Sequence, residues 1–178
     1  MTIDCGVYKI HPSAKIPIKG TIMSACYDLC ACFYEESVKI HRLREPISVK
    51  DDNNGKGKYI MLYPDDLALI PTGLIFLLPE QYHMKVYSRS GNVWKRKLVV
   101  ANQPAIIDSD YTHETFVLLH NRSLDMQRIY HGDRIAQCEL RRNRNIEFHQ
   151  CDEHDLDNAK ITIKKTSFRI GGLGSTGI

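Results

Sequence analysis

The stretch Asn102-Gln-Pro-Ala-Ile-Ile-Asp-Ser-Asp-Tyr-Thr-His-Glu114 lies between two apolar runs, Leu98-Val-Val-Ala101 and Phe116-Val-Leu-Leu119. Its first residues are typical of a turn, because Asn102 tolerates unusual backbone angles and Pro104 cannot donate a main-chain hydrogen bond. Short apolar runs on either side of a turn are typical of β-strands. The stretch is therefore predicted to be a hairpin within a β-sheet protein.

Three carboxylates, Asp108, Asp110 and Glu114, crowd into the second half of this stretch. Carboxylates at the end of hydrophobic strands are costly unless they are exposed, hydrogen-bonded or bound to a metal ion. From this spacing alone, a solvated acidic turn is the simpler interpretation. A functional interpretation depends on further motifs elsewhere in the chain.

Length and composition are those of an ordinary globular protein. The 178 residues suit a single domain spanning 1–178, with 43% hydrophobic and 25% charged residues. A net charge of +3 is too small for bulk electrostatic binding, so no nucleic-acid partner is predicted. No apolar run approaches the roughly 20 residues of a membrane helix, and the N-terminus lacks a signal-peptide pattern. We therefore predict no membrane partner and a cytoplasmic location, with a nuclear one open if the source is eukaryotic.

The six cysteines do not form a recognisable metal-binding pattern. Cys30 and Cys32 would share one face of a strand, but no second closely spaced pair completes a zinc site. In a reducing compartment, such cysteines behave as small hydrophobic residues. We therefore expect buried, unpaired thiols at Cys5, Cys26, Cys30, Cys32, Cys138 and Cys151.

Most of the remaining sequence consists of short apolar runs separated by turn residues. Helical periodicity is almost absent, apart from a short helix candidate at residues 92–97. The pattern predicts an all-β sandwich or jelly roll with at most one short helix. In the polar region 35–58, a turn cluster at 51–57 between the runs 47–49 and 59–62 predicts a hairpin. We interpret this region as a solvated, hairpin-like insertion.

Three further motifs carry residues suited to binding phosphate. Arg89-Ser-Gly91 lies where a strand ends and the helix candidate begins, so N–H groups, a hydroxyl and a guanidinium could bind an anion there. Gly132-Asp-Arg-Ile-Ala-Gln137 combines a turn with an apolar alternation, and alone it would most often be structural. The glycine-rich Gly171-Gly-Leu-Gly-Ser-Thr-Gly177 is either a frayed tail or a flexible segment that closes over a phosphate group.

With these motifs in view, the chain resembles the trimeric dUTPase family. The five motifs of that family occur here in order: Ala25-Cys-Tyr-Asp-Leu29, Arg89-Ser-Gly91, Ala105-Ile-Ile-Asp-Ser-Asp-Tyr111, Gly132-Asp-Arg-Ile-Ala-Gln137 and Gly171-Gly-Leu-Gly-Ser-Thr-Gly177. The ordered set is far more specific than any single motif. It implies a jelly-roll-like dUTPase barrel that assembles as a homotrimer and hydrolyses dUTP to dUMP and pyrophosphate with Mg2+.

The resemblance also implies roles for the opening stretch. Asp108 is expected to be the catalytic general base that activates the attacking water, and also to contact the sugar 3′-hydroxyl. Tyr111 is expected to pack under the deoxyribose, where a 2′-hydroxyl would clash. Asn102 is expected to hydrogen-bond uracil.

The phosphates and the metal are assigned by the same resemblance. The residues expected to bind the phosphates are Arg89, Ser90, Gly91 and Gln137, while Asp28 helps to place Mg2+ through water. In the tail 169–178, the expected substrate-binding residues are Arg169, Leu173, Gly174, Ser175 and Thr176. In the resembled family each site is shared: the third motif comes from one subunit, the phosphate-binding motifs from a second and the tail from a third.

This sequence departs from the family pattern at four positions. Cys26 and Ala105 stand where glycine is usual, and both are small enough that we expect only local adjustment. Arg169 precedes the Gly-Gly pair by two residues instead of three, and Leu173 replaces the phenylalanine that stacks on uracil. Either Arg169 reaches the phosphate through a shifted backbone, or closure of the tail is weaker here.

Two alternative functions are considered. A dCTP deaminase would carry a catalytic glutamate where this chain has Leu118, so deamination is disfavoured. A regulatory or binding protein on the same scaffold could use the region 35–58 and Arg141-Arg-Asn-Arg144 as partner surfaces, although a solvated loop and a strand edge explain both.

Overall fold

Short strands with alternating buried and exposed side chains account for most of the fold, as the apolar runs predict. The computed structural model describes residues 2–39 and 46–157. The chain divides into two units, residues 1–144 and residues 145–178, of which the second is described only as far as residue 157. The prediction of a single domain spanning 1–178 stays a prediction.

All of the strands described lie in the first unit. In chain order they are β1 (Gly6–Lys9), β2 (Ile18–Lys19), β3 (Tyr27–Cys30), β4 (Ser37–Val38), β5 (Ile47–Ser48), β6 (Lys50–Asp52), β7 (Gly57–Leu62), β8 (Leu67–Pro71), β9 (Leu74–Leu77), β10 (Tyr82–Tyr87), β11 (Leu98–Val100), β12 (Ala105–Ile107), β13 (Phe116–Asn121), β14 (Gln127–Tyr130) and β15 (Arg134–Arg142). The helix α1 (Ser90–Arg96) lies between β10 and β11.

The largest sheet has the strand order β12-β10-β15-β3-β2, and its neighbouring strands are antiparallel. Two three-stranded sheets have the orders β11-β13-β8 and β14-β7-β6, and the remaining strands described form the pairs β1-β9 and β4-β5. Their inward-facing side chains form one hydrophobic core. Leu29, Ile60, Ile70, Leu119 and Ile135, which come from five different strands, are at most 2% exposed. Burial of side chains of this size stabilises the fold by about 1.5–3 kcal/mol each.

The two apolar runs on either side of the opening stretch form β11 and β13, and these strands pair antiparallel. The strand inside the stretch, β12, pairs instead with β10 and belongs to a different sheet. The main-chain N–H of Ala101 donates to the carbonyl of Leu118 at 2.8 Å, which fixes the start of the turn between them. The prediction of strands is confirmed and the two flanking runs form an antiparallel pair, but the connection between them is not a simple turn, because it contains β12. Apolar runs identify a strand without specifying its neighbour.

The region 35–58 contains the predicted hairpin in a shifted position. Its arms are β6 and β7, with Lys50 opposite Tyr59, and the turn carries two glycines with positive φ, Gly55 and Gly57. The run at 47–49 was predicted to be an arm, but Ile47–Ser48 instead pairs with β4. The expectation of a fully solvated excursion is wrong at Val38, which is 3% exposed and belongs to the core. Residues 40–45 lie outside the described residues.

The predicted short helix is confirmed as α1, which begins two residues earlier than expected. It ends before Lys97, whose φ of 54° is left-handed, and Lys95 and Arg96 in its last turn complement the helix dipole. Residues 153–157 of the second unit are also helical, which the sequence analysis did not predict. There Asp155 N–H donates to the Asp152 carboxylate at 2.9 Å and Asp152 N–H donates to the Asp155 carboxylate at 3.3 Å. This reciprocal pair is a capping box.

The six cysteines are free thiols, as expected. Cys32 and Cys138 are buried, and burial is the main cause that raises the pKa of the Cys138 thiol to about 12. The expectation of burial is wrong for Cys151, which is exposed in the second unit. Among the described residues, no helix has the length and hydrophobicity needed to cross a lipid bilayer.

Candidate functional site

The five-stranded sheet brings four of the five sequence motifs onto neighbouring strands. The third motif forms β12, the second follows the end of β10, the fourth forms β15 and the first forms β3. In the register of this sheet, Tyr87 at the end of β10 lies opposite Gln137, and Gln137 lies opposite Asp28. Asp28, Gln137 and the start of the second motif are therefore gathered at one end of the sheet.

Asp28 is the centre of this cluster. Its carboxylate is 8% exposed and accepts a hydrogen bond from Arg89 Nε at 2.7 Å and another from Arg134 Nη1 at 3.1 Å. A buried carboxylate is tolerated when charged donors of this kind bind it. The interaction holds the Arg89 guanidinium against β3 and leaves two positive charges around one negative charge. Such an environment suits an anionic ligand.

The Arg89 turn, residues 88–91, is fixed by all three polar groups of Ser88. The Ser88 N–H donates to Gln103 Oε1 at 2.9 Å, and its hydroxyl oxygen accepts from Val100 N–H at 2.8 Å. Its carbonyl accepts from Gln137 Nε2 at 3.0 Å. The backbone before Arg89 is therefore tied to β11, to β15 and to residue 103.

The rest of the second motif begins helix α1. Arg89 is the N-cap, with extended backbone angles, and Ser90 and Gly91 are exposed in the first turn. A Cβ atom on Gly91 would meet no other atom within 4 Å, so the space in front of it is open. Asn92 Nδ2 donates to the carbonyl of Arg134 at 2.9 Å, which ties the helix to the start of β15. The structure thus brings together Asp28, Arg89, Ser90, Gly91 and Gln137.

The three carboxylates of the opening stretch have different environments. Asp108 and Asp110 are exposed, whereas Glu114 is partly buried and accepts hydrogen bonds from Gly73 N–H at 2.7 Å and from the Tyr34 hydroxyl. Burial raises the pKa of the Tyr34 phenol, and its hydrogen bond to Glu114 raises it further. Glu114 is therefore a structural acceptor, while Asp108 and Asp110 are open to solvent.

The loop that follows Asp108 is held by its own main chain. Tyr111 N–H donates to the Asp108 carbonyl at 3.2 Å, and the Tyr111 hydroxyl donates to the Glu114 carbonyl at 2.9 Å. The Tyr111 side chain remains 37% exposed, so part of the ring is accessible. Asn102 is also exposed, in the Asn102 turn (residues 101–104) at the other end of β12.

Asp108 lies far from Asp28 within one chain. Ile107, the last residue of β12, is opposite Met84 near the start of β10, so Asp108 is beyond that end of the sheet. Asp28 is three strands away and level with Tyr87 at the other end of β10. With strands about 4.8 Å apart and a rise of about 3.3 Å per residue, the two Cα atoms are separated by roughly 15–20 Å.

The predicted tail residues Arg169, Leu173, Gly174, Ser175 and Thr176 lie outside the described residues. Three residues of the cluster were not predicted as site residues: Ser88, Gln103 and Arg134. Ser88 adjoins the second motif, and Arg134 belongs to the fourth, so both could have been found by examining the motif neighbours. No sequence signal indicates that Gln103 reaches Ser88.

Comparison with known proteins decides the family. A model of the dUTPase family matches residues 57–177, which is more than half of the chain. The chain belongs to the dUTPase family. The family predicted from the five motifs is therefore confirmed, and with it the predicted enzyme class, a dUTP diphosphatase.

Curated dUTPases resemble the chain along almost its whole length. The deoxyuridine 5′-triphosphate nucleotidohydrolase of Helicobacter pylori (strain Shi470) is 31% identical over 172 residues, covering 97% of this chain and 95% of the relative. The enzyme of the same name from Leptospira interrogans is 29% identical over 171 residues, covering 96% and 97% of the two chains.

Solved dUTPase structures share the fold at lower sequence identity. A point mutant of the Staphylococcus bacteriophage 80alpha dUTPase, in complex with dUpNHpp, has a TM-score of 0.69 at 20% identity, covering 99% of this chain and 100% of that one. The dUTPase from Streptococcus mutans has a TM-score of 0.61 at 19% identity, covering 80% and 99%. The predicted all-β, jelly-roll-like dUTPase fold is confirmed.

The ion pairs predict different costs for two arginine substitutions on β15. Arg134 and Arg141 have similarly exposed side chains, 56% and 59%, but Arg134 binds the buried Asp28 whereas Arg141 binds the more exposed Glu139. Arg134→Met should lower the free energy of unfolding by about 1–2 kcal/mol, because a buried carboxylate loses a charged donor. Arg141→Met should cost clearly less, because solvent screens the ion pair of an exposed guanidinium. Urea unfolding of both variants measures the difference, and equal losses would contradict the anchoring role of Asp28.

Proposed function

We propose that this chain hydrolyses dUTP to dUMP and pyrophosphate by attack of water at the α-phosphate. Membership of the dUTPase family supports the reaction. The structural observation that carries the proposal is the gathering of Asp28, Arg89 and Gln137 on adjacent strands, with two guanidinium groups around one buried carboxylate. In a cell, this reaction keeps uracil out of DNA and supplies dUMP for the synthesis of dTMP.

In the proposed mechanism, the Asp108 carboxylate takes a proton from the attacking water. The water oxygen forms a bond to the α-phosphorus while the bond to the bridging oxygen of the β-phosphate breaks, and pyrophosphate leaves. The exposure of Asp108 supports this role, because a general base must come within about 3 Å of the water that it activates. Asn102 hydrogen-bonds uracil, and the accessible part of the Tyr111 ring packs under the deoxyribose.

The phosphates are proposed to bind at the end of the sheet opposite to Asp108. Arg89, Ser90, Gly91 and Gln137 bind their oxygens, and the anchoring of Arg89 by Asp28 reduces the conformational freedom that binding would otherwise cost. The open space at Gly91 supports a close approach of ligand to the main chain.

Mg2+ is the proposed metal, carried mainly by the triphosphate. Both oxygens of Asp28 already accept hydrogen bonds from arginines, which fits a role in placing the ion through water better than direct ligation. When bound, Mg2+ offsets the negative charge of the phosphates. A dUTPase from phage phi11 of Staphylococcus aureus, 19% identical to this chain, coordinates a structural Mg(II) ion.

A homotrimer with shared sites is proposed because Asp108 lies far from the Asp28–Arg89 pair within one chain. The attacking water must lie beside Asp108 and also against a phosphate held by Arg89, whereas Asp28, which anchors Arg89, is roughly 15–20 Å from Asp108 in one chain. We therefore propose that two copies contribute to each site. The tail residues Arg169, Leu173, Gly174, Ser175 and Thr176 are proposed, from the family pattern, to close over the substrate from a third copy.

The alternatives receive less support. Leu118, at the position of the deaminase glutamate, lies on β13 opposite Leu69 and offers no acid. A protein partner at the region 35–58 stays an alternative that no specific observation favours.

The reaction is tested by incubating the full-length protein with dUTP, UTP, dTTP and dCTP. We expect release of pyrophosphate from dUTP to be at least about a hundredfold more efficient than from the others, because specific polar contacts reject analogues strongly. Comparable turnover of UTP and dUTP would refute the proposed specificity. Release of ammonia from dCTP would instead favour a deaminase.

The general base is tested with Asp108→Asn, which keeps the size of the side chain but cannot accept the proton. Turnover of dUTP should fall by about two orders of magnitude or more, the usual scale for loss of a general base. Binding of a non-hydrolysable dUTP analogue should persist. The matched control is Asp110→Asn, at another exposed carboxylate two positions away, and it should stay within about threefold of the parent. A near-normal rate in Asp108→Asn would show that another group is the base.

Shared sites are tested by mixing two inactive variants, Asp108→Asn and Arg89→Met. When the two variants are unfolded and refolded together, mixed assemblies should form. Some of their sites should combine an unsubstituted Asp108 from one copy with an unsubstituted Arg89 from another. Activity of the mixture should then exceed the sum of the separately refolded parents. If mixed assemblies identified by mass show no gain, both residues serve the same subunit's site.

A further inference from the structure

Gln103 forms a side-chain bridge between the two turns that carry the proposed nucleotide contacts. It directly follows Asn102, and its Oε1 accepts a hydrogen bond at 2.9 Å from the main-chain N–H of Ser88. Ser88 in turn directly precedes Arg89. The bond therefore joins the Asn102 turn to the Arg89 turn.

The other two polar groups of Ser88 attach it to the framework of the sheets. Its hydroxyl oxygen accepts from the main-chain N–H of Val100, at the end of β11, and its carbonyl accepts from the Gln137 side chain on β15. Without Gln103, the N–H of Ser88 would be the one polar group of this residue with no bond among those described. The hydrogen bond from Ser88 N–H to Gln103 is thus the third of the three bonds that hold the Arg89 turn in place.

Replacing Gln103 should not impair folding. Its side chain is exposed and does not belong to the hydrophobic core, so the sheets should remain intact without it. The effect of losing it should instead appear in the relative placement of the two turns. A displacement of a positioned group by a small distance weakens the contacts that depend on it.

We propose that Gln103 is a positioning residue that holds the Arg89 turn and the Asn102 turn in a fixed relation, and thereby sets affinity for both the phosphate and the uridine parts of the substrate. This inference rests on the proposed function, which assigns those parts of the nucleotide to the two turns. Under the shared-site arrangement, the two turns of one chain serve different sites. One hydrogen bond then contributes to two active sites at once.

The test uses Gln103→Met in the full-length protein, with two separate binding probes. Inorganic pyrophosphate reports on the Arg89 turn and deoxyuridine reports on the Asn102 turn. Loss of one hydrogen bond should weaken the binding of each probe by about three- to tenfold. The KM for dUTP should rise over the same range, while kcat changes by less than about twofold, because no group at the reacting atoms is removed.

Two further variants serve as controls. Gln103→Glu keeps an acceptor of the same length, so it should bind deoxyuridine, which is uncharged, within about twofold of the parent. Gln81→Met makes the same chemical change at the far end of β10, where Gln81 Oε1 accepts from Arg142 Nη2 at 3.1 Å. It should leave the affinity for both probes unchanged.

A loss confined to one probe, a failure of Gln103→Glu to restore deoxyuridine binding, or an equal loss in Gln81→Met would each overturn the proposal. Thermal unfolding checks that Gln103→Met is folded. If it is not, Gln103→Asn, whose amide is one methylene shorter, gives the same comparison. A parent protein that binds neither probe would instead contradict the proposed function, so the two failures are distinguishable.

Discussion

The arrangement of the proposed phosphate-binding end of the five-stranded sheet depends on one buried carboxylate between two guanidinium groups. Asp28 would be costly on an interior strand position if it were unpaired. Its bonds to Arg89 and Arg134 remove that cost and, at the same time, fix the direction of both arginines. The same interaction thus stabilises the sheet and prepares a positively charged surface, so structural and functional roles cannot be separated at this residue.

The order of strands explains why motifs distant in sequence act together. β3, β15 and β10 are neighbours in space although the chain visits them in the order first, last and middle. Antiparallel pairing puts Asp28, Gln137 and Tyr87 at one level, and a single further step along the chain reaches Ser88. Each motif needs only a few residues because the sheet supplies the distances between them.

The sequence predicted the strand-rich fold and the short helix from apolar alternation and turn residues. It predicted Asp28, Arg89, Ser90, Gly91 and Gln137 as one group through the resemblance of its motifs to the dUTPase family. It did not predict the pairing of β12 with β10, since the choice of neighbour is made by the whole set of strands. It also did not predict the bonds of Ser88 to Gln103 or of Arg134 to Asp28, which join residues 15 and 106 positions apart. The different roles of the three carboxylates became clear only from their exposure and hydrogen bonds in the structure. Glu114 accepts internal hydrogen bonds, whereas Asp108 is exposed.

The six residues of β10 have a consequence for how this chain can vary in evolution. One end of the strand leads to the Arg89 turn, and the other end lies near Ile107, the residue before Asp108. Deleting or inserting a single residue in β10 would shift one end against the other and turn every following side chain to the opposite face of the sheet. A substitution at an exposed position of β10 changes one side chain, whereas a change of length displaces both ends. Length changes should therefore be accommodated better in segments such as 35–58, which lie outside β10.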